Sequence, residues 1–205
     1  MLNRVARASI TRLFTPIARG LLRLGISADA VTISGTLGVC IGALAFYPRG
    51  EFLIGTLVIT AFVFSDNIDG IMARLSGHQS SWGAFLDSVL DRVGDAAIFI
   101  GLALWFAGTG DSLRLTALCL ACLALGAVVS YAKARAEGLG YTADVGVAER
   151  AERLVAVLVT TGLVGLFDLP VIVLEVVLWL LAVASVWTVL QRVYAVRKQA
   201  TVEQL

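Results

Sequence analysis

Stretches of about 20 mostly apolar residues, the length a bilayer-spanning helix needs, recur along nearly the whole chain. The turns between them are short and polar or glycine-containing. Of 205 residues, 59% are hydrophobic and 15% charged, whereas soluble domains average nearer half apolar and a quarter charged. The chain therefore reads as an all-α polytopic membrane protein. Six transmembrane helices are expected, at about 28–47, 52–75, 82–107, 112–136, 147–167 and 171–195. A single domain, 25–205, would hold them all. The net charge is only +1, and no nucleic-acid partner is expected.

Residues 1–24 differ from the rest. Arg4, Arg7, Arg12, Arg19 and Arg23 alternate with Val5, Ile10, Leu13, Phe14, Ile17, Leu21 and Leu22. That pattern predicts an amphipathic juxtamembrane helix lying on an anionic lipid surface, with Pro16 as a point of interruption. Five arginines in this stretch leave no uninterrupted apolar core, so no cleavable secretory signal is expected. Gly25 closes the element, and Ser27-Ala28-Asp29 supplies N-cap chemistry for the next. Within the first span, Gly38 and Gly42 form a GxxxG that serves either internal packing or dimerisation. Cys40, Cys119 and Cys122 all fall inside apolar spans and read as buried thiols rather than a redox or metal pair. Only Arg49 and Arg114 fall on one membrane face, and the other fourteen of the 16 basic residues fall on the opposite one. By the positive-inside rule that second face is cytoplasmic, and both termini share it.

Four carboxylates interrupt this apolar chain between residues 66 and 91. Asp66 and Asp69 are three apart and Asp87 and Asp91 four apart, so on helices each pair shares one face. The pairs end one span and begin the next, which brings them together at one membrane face in an antiparallel hairpin. Gly70, Ala73 and Gly83 leave little bulk beside them. Ionisable groups at membrane depth are costly and mark function. An oxygen-rich cluster of acids suits hard cations such as Mg²⁺ or Mn²⁺, and two such ions can clamp both oxygens of a phosphoryl displacement.

Asp66, Asp69, Gly70, Ala73, Arg74, Gly83, Asp87 and Asp91 fill the pattern D-x2-D-G-x2-A-R-x8-G-x3-D-x3-D without substitution. In this the chain resembles the CDP-alcohol phosphotransferases. The resemblance implies transfer from a CDP-linked lipid to an alcohol with release of CMP. It implies two divalent cations, Mg²⁺ or Mn²⁺, on Asp66, Asp69, Asp87 and Asp91, with Asp91 also the general base. It places Gly70 and Arg74 against the CDP moiety, with Ser80 beside them. Where the family often has P-N-x-x-T, this chain has Ala28-Asp29-Ala30-Val31-Thr32, which carries Asp29 and Thr32 over as nucleotide contacts. Family members are homodimers, and the same is expected here.

Lys133, Arg135, Arg150, Arg153 and Arg192 gather on the cytoplasmic ends of the last three helices, a basic set that suits an acceptor bearing its own phosphate. The segment S-Y-A-K-A-R-A-E-G-L-G and the following A-E-R-A-E-R are similar to those of actinobacterial phosphatidylinositol phosphate synthases, whose acceptor is inositol phosphate. On that likeness Lys133, Arg153 and Arg192 hold the acceptor phosphate. Glycerol 3-phosphate is the competing acceptor, and a cation transporter is the competing class. Asp95 continues the Asp87/Asp91 face and is expected to pair locally with Arg92. His78 reads as a solvated linker residue, and Glu149 and Glu152 as charges that complement a helix N-terminus. The expected location is the plasma membrane, with the site open to the cytosol.

Overall fold

The computed structural model describes residues 14–77 and 80–203, with residues 66, 67 and 203 described by their backbone alone. Residues 1–13, most of the expected amphipathic element, and His78 lie outside it. Of the described residues 84% are helical, and none of them is in a strand. Helix α1 covers 14–23 and runs through Pro16. It is followed by α2 (Ala28–Phe46), a 3₁₀ turn (Tyr47–Arg49), α3 (Phe52–Val63), α4 (Ser65–Ser76), α5 (Ser81–Ala107), α6 (Leu113–Glu137), α7 (Arg150–Phe167) and α8 (Ile172–Glu203). Hydroxyl caps start three of them: Ser27 accepts from Ala30 N, Ser80 from Gly83 N and Ser112 from Leu115 N.

The packing order closes on itself. Helix α2 lies against α3 and α5, α5 against α6, α6 against α8, α8 against α7, and α7 back against α3. In a lipid environment the apolar effect between helices is weak, so close backbone approach takes over. Gly38 and Gly42 make that approach between α2 and α3, where side chains would collide with Phe62 and Ile59, and Gly35 makes it to Ser65 at the start of α4. The GxxxG thus serves packing within the chain. Gly101 of α5 meets the Ala43 carbonyl of α2, where an added Cβ would sit 2.6 Å from the oxygen. The central core includes Tyr47, Ile59, Ile98, Leu102, Phe106, Val157, Leu174 and Leu178. Leu37, Ile41, Leu57, Leu104, Val159, Leu180 and Val183 face outward, as the lipid-facing side of a membrane bundle requires.

Among the described residues, four helical stretches are long and apolar enough to cross a membrane: Ala28–Arg49, Phe52–Ser76, Leu113–Glu137 and Ile172–Val202. Helices α5 and α7 are not among them because charges crowd their first halves. Asp87, Asp91, Arg92 and Asp95 lie on α5, and Arg150, Glu152 and Arg153 open α7. The expected second span is also divided. Helix α3 gives way to α4 at Phe64, where the Ser65 hydroxyl donates to the Phe62 carbonyl (2.6 Å) and loosens the ladder.

Candidate active site

Helices α2, α4 and α5 enclose a cavity of about 420 Å³ at the end of the bundle where the acidic stretch lies. Asp29, Thr32, Asp69, Gly70, Arg74, Ser80, Asp87 and Asp91 all line it. Eight of the residues singled out in the sequence thus reach one space, contributed by three helices and the α4–α5 linker. The sequence builds the cavity from small residues. A side chain added at Gly70 would meet nothing within 4 Å, and Gly83 leaves 3.8 Å to Asp29 Oδ1. Asp69 is buried and accepts a 2.5 Å hydrogen bond from the Thr32 hydroxyl. The cavity-side Asp29 accepts from Trp82 Nε1 at 3.2 Å, which ties the start of α2 to α5.

Helices α5, α6, α7 and α8 enclose a second cavity, of about 540 Å³, with Ser88, Asp91, Arg92, Ser130, Lys133, Glu149, Arg150 and Arg192 among its lining. Among the described residues, Asp91 and Arg150 are the ones the two cavities share. At this junction Arg150 Nη2 lies 2.8 Å from Asp91 Oδ1, and Arg150 Nε lies 3.2 Å from Asp95 Oδ1. Arg92 approaches both, at 3.4 Å from Asp91 and 3.8 Å from Asp95.

The basic residues separate here. Lys133 and Arg192 line the second cavity. Arg153 lines neither cavity and is 3% exposed. Its guanidinium sits under Gly126, donates to the Ala148 carbonyl at 3.0 Å and meets Asp95 at 3.5 Å. Arg135 is exposed and lines neither cavity. Arg192 is equally buried. It donates to the carbonyls of Val145 (3.0 Å) and Val129 (2.6 Å) and to Glu149 Oε1 (3.0 Å), so it joins α6, α8 and the loop before α7. Asp95 exceeds the local pair expected of it, since Arg92, Arg150 and Arg153 all converge on its carboxylate. Glu149 does stand at the N-cap of α7, but its carboxylate serves Arg192 rather than the helix end. Sequence reasoning missed Asp144. It lies in the loop between α6 and α7 and meets Lys133 Nζ at 2.5 Å, and the hydrogen bond from Lys133 holds its carboxyl below the usual carboxylate range. Only its place in the polar loop after the Lys133 helix could have pointed to it.

The donor chemistry of the first cavity fits hard cations. Asp69, Asp87 and Asp91 present carboxylates from two helices into one space, and Asp66 stands one turn before Asp69 on α4. Among the described residues no three such side chains close into a finished ligand cluster. Instead the Thr32 hydroxyl occupies Asp69 and the Arg150 guanidinium occupies Asp91.

A sequence model of the CDP-alcohol phosphatidyltransferase family matches residues 26–190, which include every residue of the first cavity. The chain belongs to that family. Within it, the chain is 57% identical over 205 aligned residues to the phosphatidylinositol phosphate synthase of Streptomyces avermitilis, covering 98% of this chain and 84% of that one. Identity to the phosphatidylinositol phosphate synthase of Mycolicibacterium smegmatis is 47%, over 94% of this chain and 87% of that one. Among solved structures, the bundle matches Mycobacterium tuberculosis phosphatidylinositol phosphate synthase at 45% identity. With CDP-DAG bound, the TM-score is 0.84 over 90% of this chain and 94% of that one. In the complex with manganese and citrate it is 0.86, over 89% and 88%.

Proposed function

We propose that the protein transfers the phosphatidyl group of CDP-diacylglycerol to inositol phosphate, giving phosphatidylinositol phosphate and CMP. The observation that carries this reading is the meeting of an acid-lined and a base-lined cavity at Asp91. A metal-bridged pyrophosphate fits the first, and a phosphate-bearing acceptor fits the second. The family assignment and the 57% identity to a phosphatidylinositol phosphate synthase support the same choice. Glycerol 3-phosphate is the competing acceptor. A cation transporter would need acids spread through the membrane depth with an exit route, whereas these cluster beside Gly70 and Arg74.

In this reading Asp66, Asp69, Asp87 and Asp91 hold two divalent cations, Mg²⁺ or Mn²⁺, which neutralise the pyrophosphate and act as Lewis acids on its oxygens. Gly70 lets the nucleotide approach the backbone, and Arg74 offers a fork to phosphate. Asp29, Thr32 and Ser80 complete the CDP-diacylglycerol contacts. Lys133 and Arg192 attract the acceptor's phosphate and orient its hydroxyl toward the first cavity. Arg153, assigned with them on resemblance, supports the acceptor cavity from behind through Asp95. Asp91 takes the proton of the acceptor hydroxyl as its oxygen bonds to the phosphatidyl phosphorus. The bond from that phosphorus to the bridging oxygen breaks, and CMP leaves with that oxygen.

We further assign α5 and α7 as spans alongside the four apolar ones, with their charged ends at the cytoplasmic face. That gives six spans in the plasma membrane, both termini and the site cytoplasmic, in a homodimer. The test is an acceptor panel with CDP-diacylglycerol and purified protein: inositol phosphate, free inositol, glycerol 3-phosphate and serine. Metal-dependent CMP release with inositol phosphate alone is expected, and preference for glycerol 3-phosphate would overturn the assignment.

A further inference from the structure

We propose that Arg150 is a catalytic cation shared by the two cavities. At rest it occupies Asp91. In the loaded site it yields that carboxylate and turns the same guanidinium to the phosphoryl oxygens at the junction, with Asp95 as its tether. The proposal rests on the transfer reaction above and assigns a residue of that site.

Three observations carry it. Arg150 and Asp91 are the residues that line both cavities, so a group on Arg150 can reach donor and acceptor alike. The guanidinium is used from two sides: Nη2 faces Asp91 at 2.8 Å, while Nε is anchored on Asp95 at 3.2 Å. The anchor itself is fixed, because Asp95 is buried and is also engaged by Arg153 and Arg92. Arg150 Nη2 can therefore leave Asp91 without the side chain leaving the junction.

Charge favours the exchange. A divalent cation on the Asp91 carboxylate would stand near the guanidinium that now lies 2.8 Å from Oδ1, and repulsion between the two cations where water is scarce weakens the Arg150–Asp91 pair. Around Asp91 and Asp95, three arginines (Arg92, Arg150 and Arg153) face two carboxylates, and that excess of positive charge favours an anion arriving at the junction. The phosphorus under attack gains negative charge on its non-bridging oxygens as the new P–O bond forms and the bond to CMP breaks. A planar guanidinium already held beside it stabilises that charge without reorganising. Asp95 is then a positioning residue that acts through Arg150.

The test uses the full chain in detergent or nanodiscs and reads two quantities: Mn²⁺ affinity without substrates, by the electron paramagnetic resonance of free Mn²⁺, and CMP release at saturating substrates. Arg150→Ala removes the resting competitor, so Mn²⁺ binding should tighten by about tenfold, while kcat falls roughly 10²–10³-fold. Arg150→Lys should show a smaller change of the same sign in both, because an ammonium cannot hold Asp95 and reach the junction at once. Asp95→Asn should lower the melting temperature, because it strands the buried Arg153, and should lower kcat with both KM values unchanged, whereas a merely structural loss would move both KM values as well. Arg197→Gln, exposed on α8, is the control. Unchanged or weaker Mn²⁺ binding in folded Arg150→Ala would overturn the proposal, and so would unchanged kcat. If the alanine variant does not fold, the same two outcomes in Arg150→Lys decide. Failure of the wild type to release CMP with inositol phosphate would sink the assigned reaction and leave the Mn²⁺ result standing.

Discussion

The two cavities that meet at Asp91 are built on opposite plans. The α2/α4/α5 cavity is acidic and walled by small residues, and its residues come mainly from one continuous stretch, 66–91. The α5–α8 cavity is basic, its residues come from four helices and a loop, and its cations are tied into the protein. Arg192 alone makes three hydrogen bonds from a nearly sealed position. The acidic side offers carboxylate oxygens that suit a hard cation. The basic side is also architecture, because buried charges endure only when paired. Substitutions on the first side should therefore cost activity, and on the second side activity and stability should separate residue by residue.

The largest effect expected is on the acidic side. Asp69→Asn and Asp87→Asn should each lower CMP release by roughly 10³-fold or more, with the melting temperature held. Chelation of divalent cations should do the same to the wild type. Appreciable turnover in either variant at saturating Mg²⁺ would break the contrast between the cavities. Asp91→Asn comes next, with a loss of about 10²–10⁴ in rate and little change in donor affinity. Parallel loss of donor binding would make Asp91 mainly a metal ligand and would remove its role as the base.

On the basic side the prediction divides. Arg153→Ala strands Asp95 and the Ala148 carbonyl, so it should destabilise the bundle by about 3–5 kcal/mol, measured as a fall in melting temperature. Lys133→Ala should leave melting intact and raise the acceptor KM about tenfold to a hundredfold, the worth of one charge-assisted hydrogen bond. Equal effects of the two variants on acceptor KM would erase the distinction. The smallest effect concerns the Lys133–Asp144 pair. Asp144 is depressed below the ordinary aspartate value of 3.8, so the pair is complete above that pH and is lost as pH falls through the lower folded value. The melting temperatures of wild type and Asp144→Asn should therefore differ little, because the pair is exposed. What difference exists should be constant from pH 7 down to about 5 and vanish in stronger acid.

What was legible followed from locality. The apolar runs located most helix ends to within a few residues, although α8 continues to Glu203, well past its expected end at about 195, and the Ser27-Ala28-Asp29 stretch supplies the cap of α2 through Ser27. The eight-residue pattern marked the acidic cavity because its carboxylates lie on two consecutive helices, where spacing alone sets the face. The division of the expected second span at Phe64 was not legible. It turns on a serine hydroxyl taking a carbonyl at a point where α2 presses close at Gly35.

The sequence by itself determined the class of the protein, the place of its helices and its acidic site. Those depend on hydrophobic length, helical periodicity and charges that must be adjacent to be useful. Only the tertiary structure decided which cations face an open cavity. Lys133, Arg150, Arg153 and Arg192 look alike along the chain. Burial separates Lys133 at a cavity wall from Arg153 sealed under Gly126, and the ring of helices brings Arg150 to Asp91 and Asp95 across more than fifty residues of chain. A charge acquires its role from the partners that desolvation forces on it, and those partners are chosen by packing between distant helices.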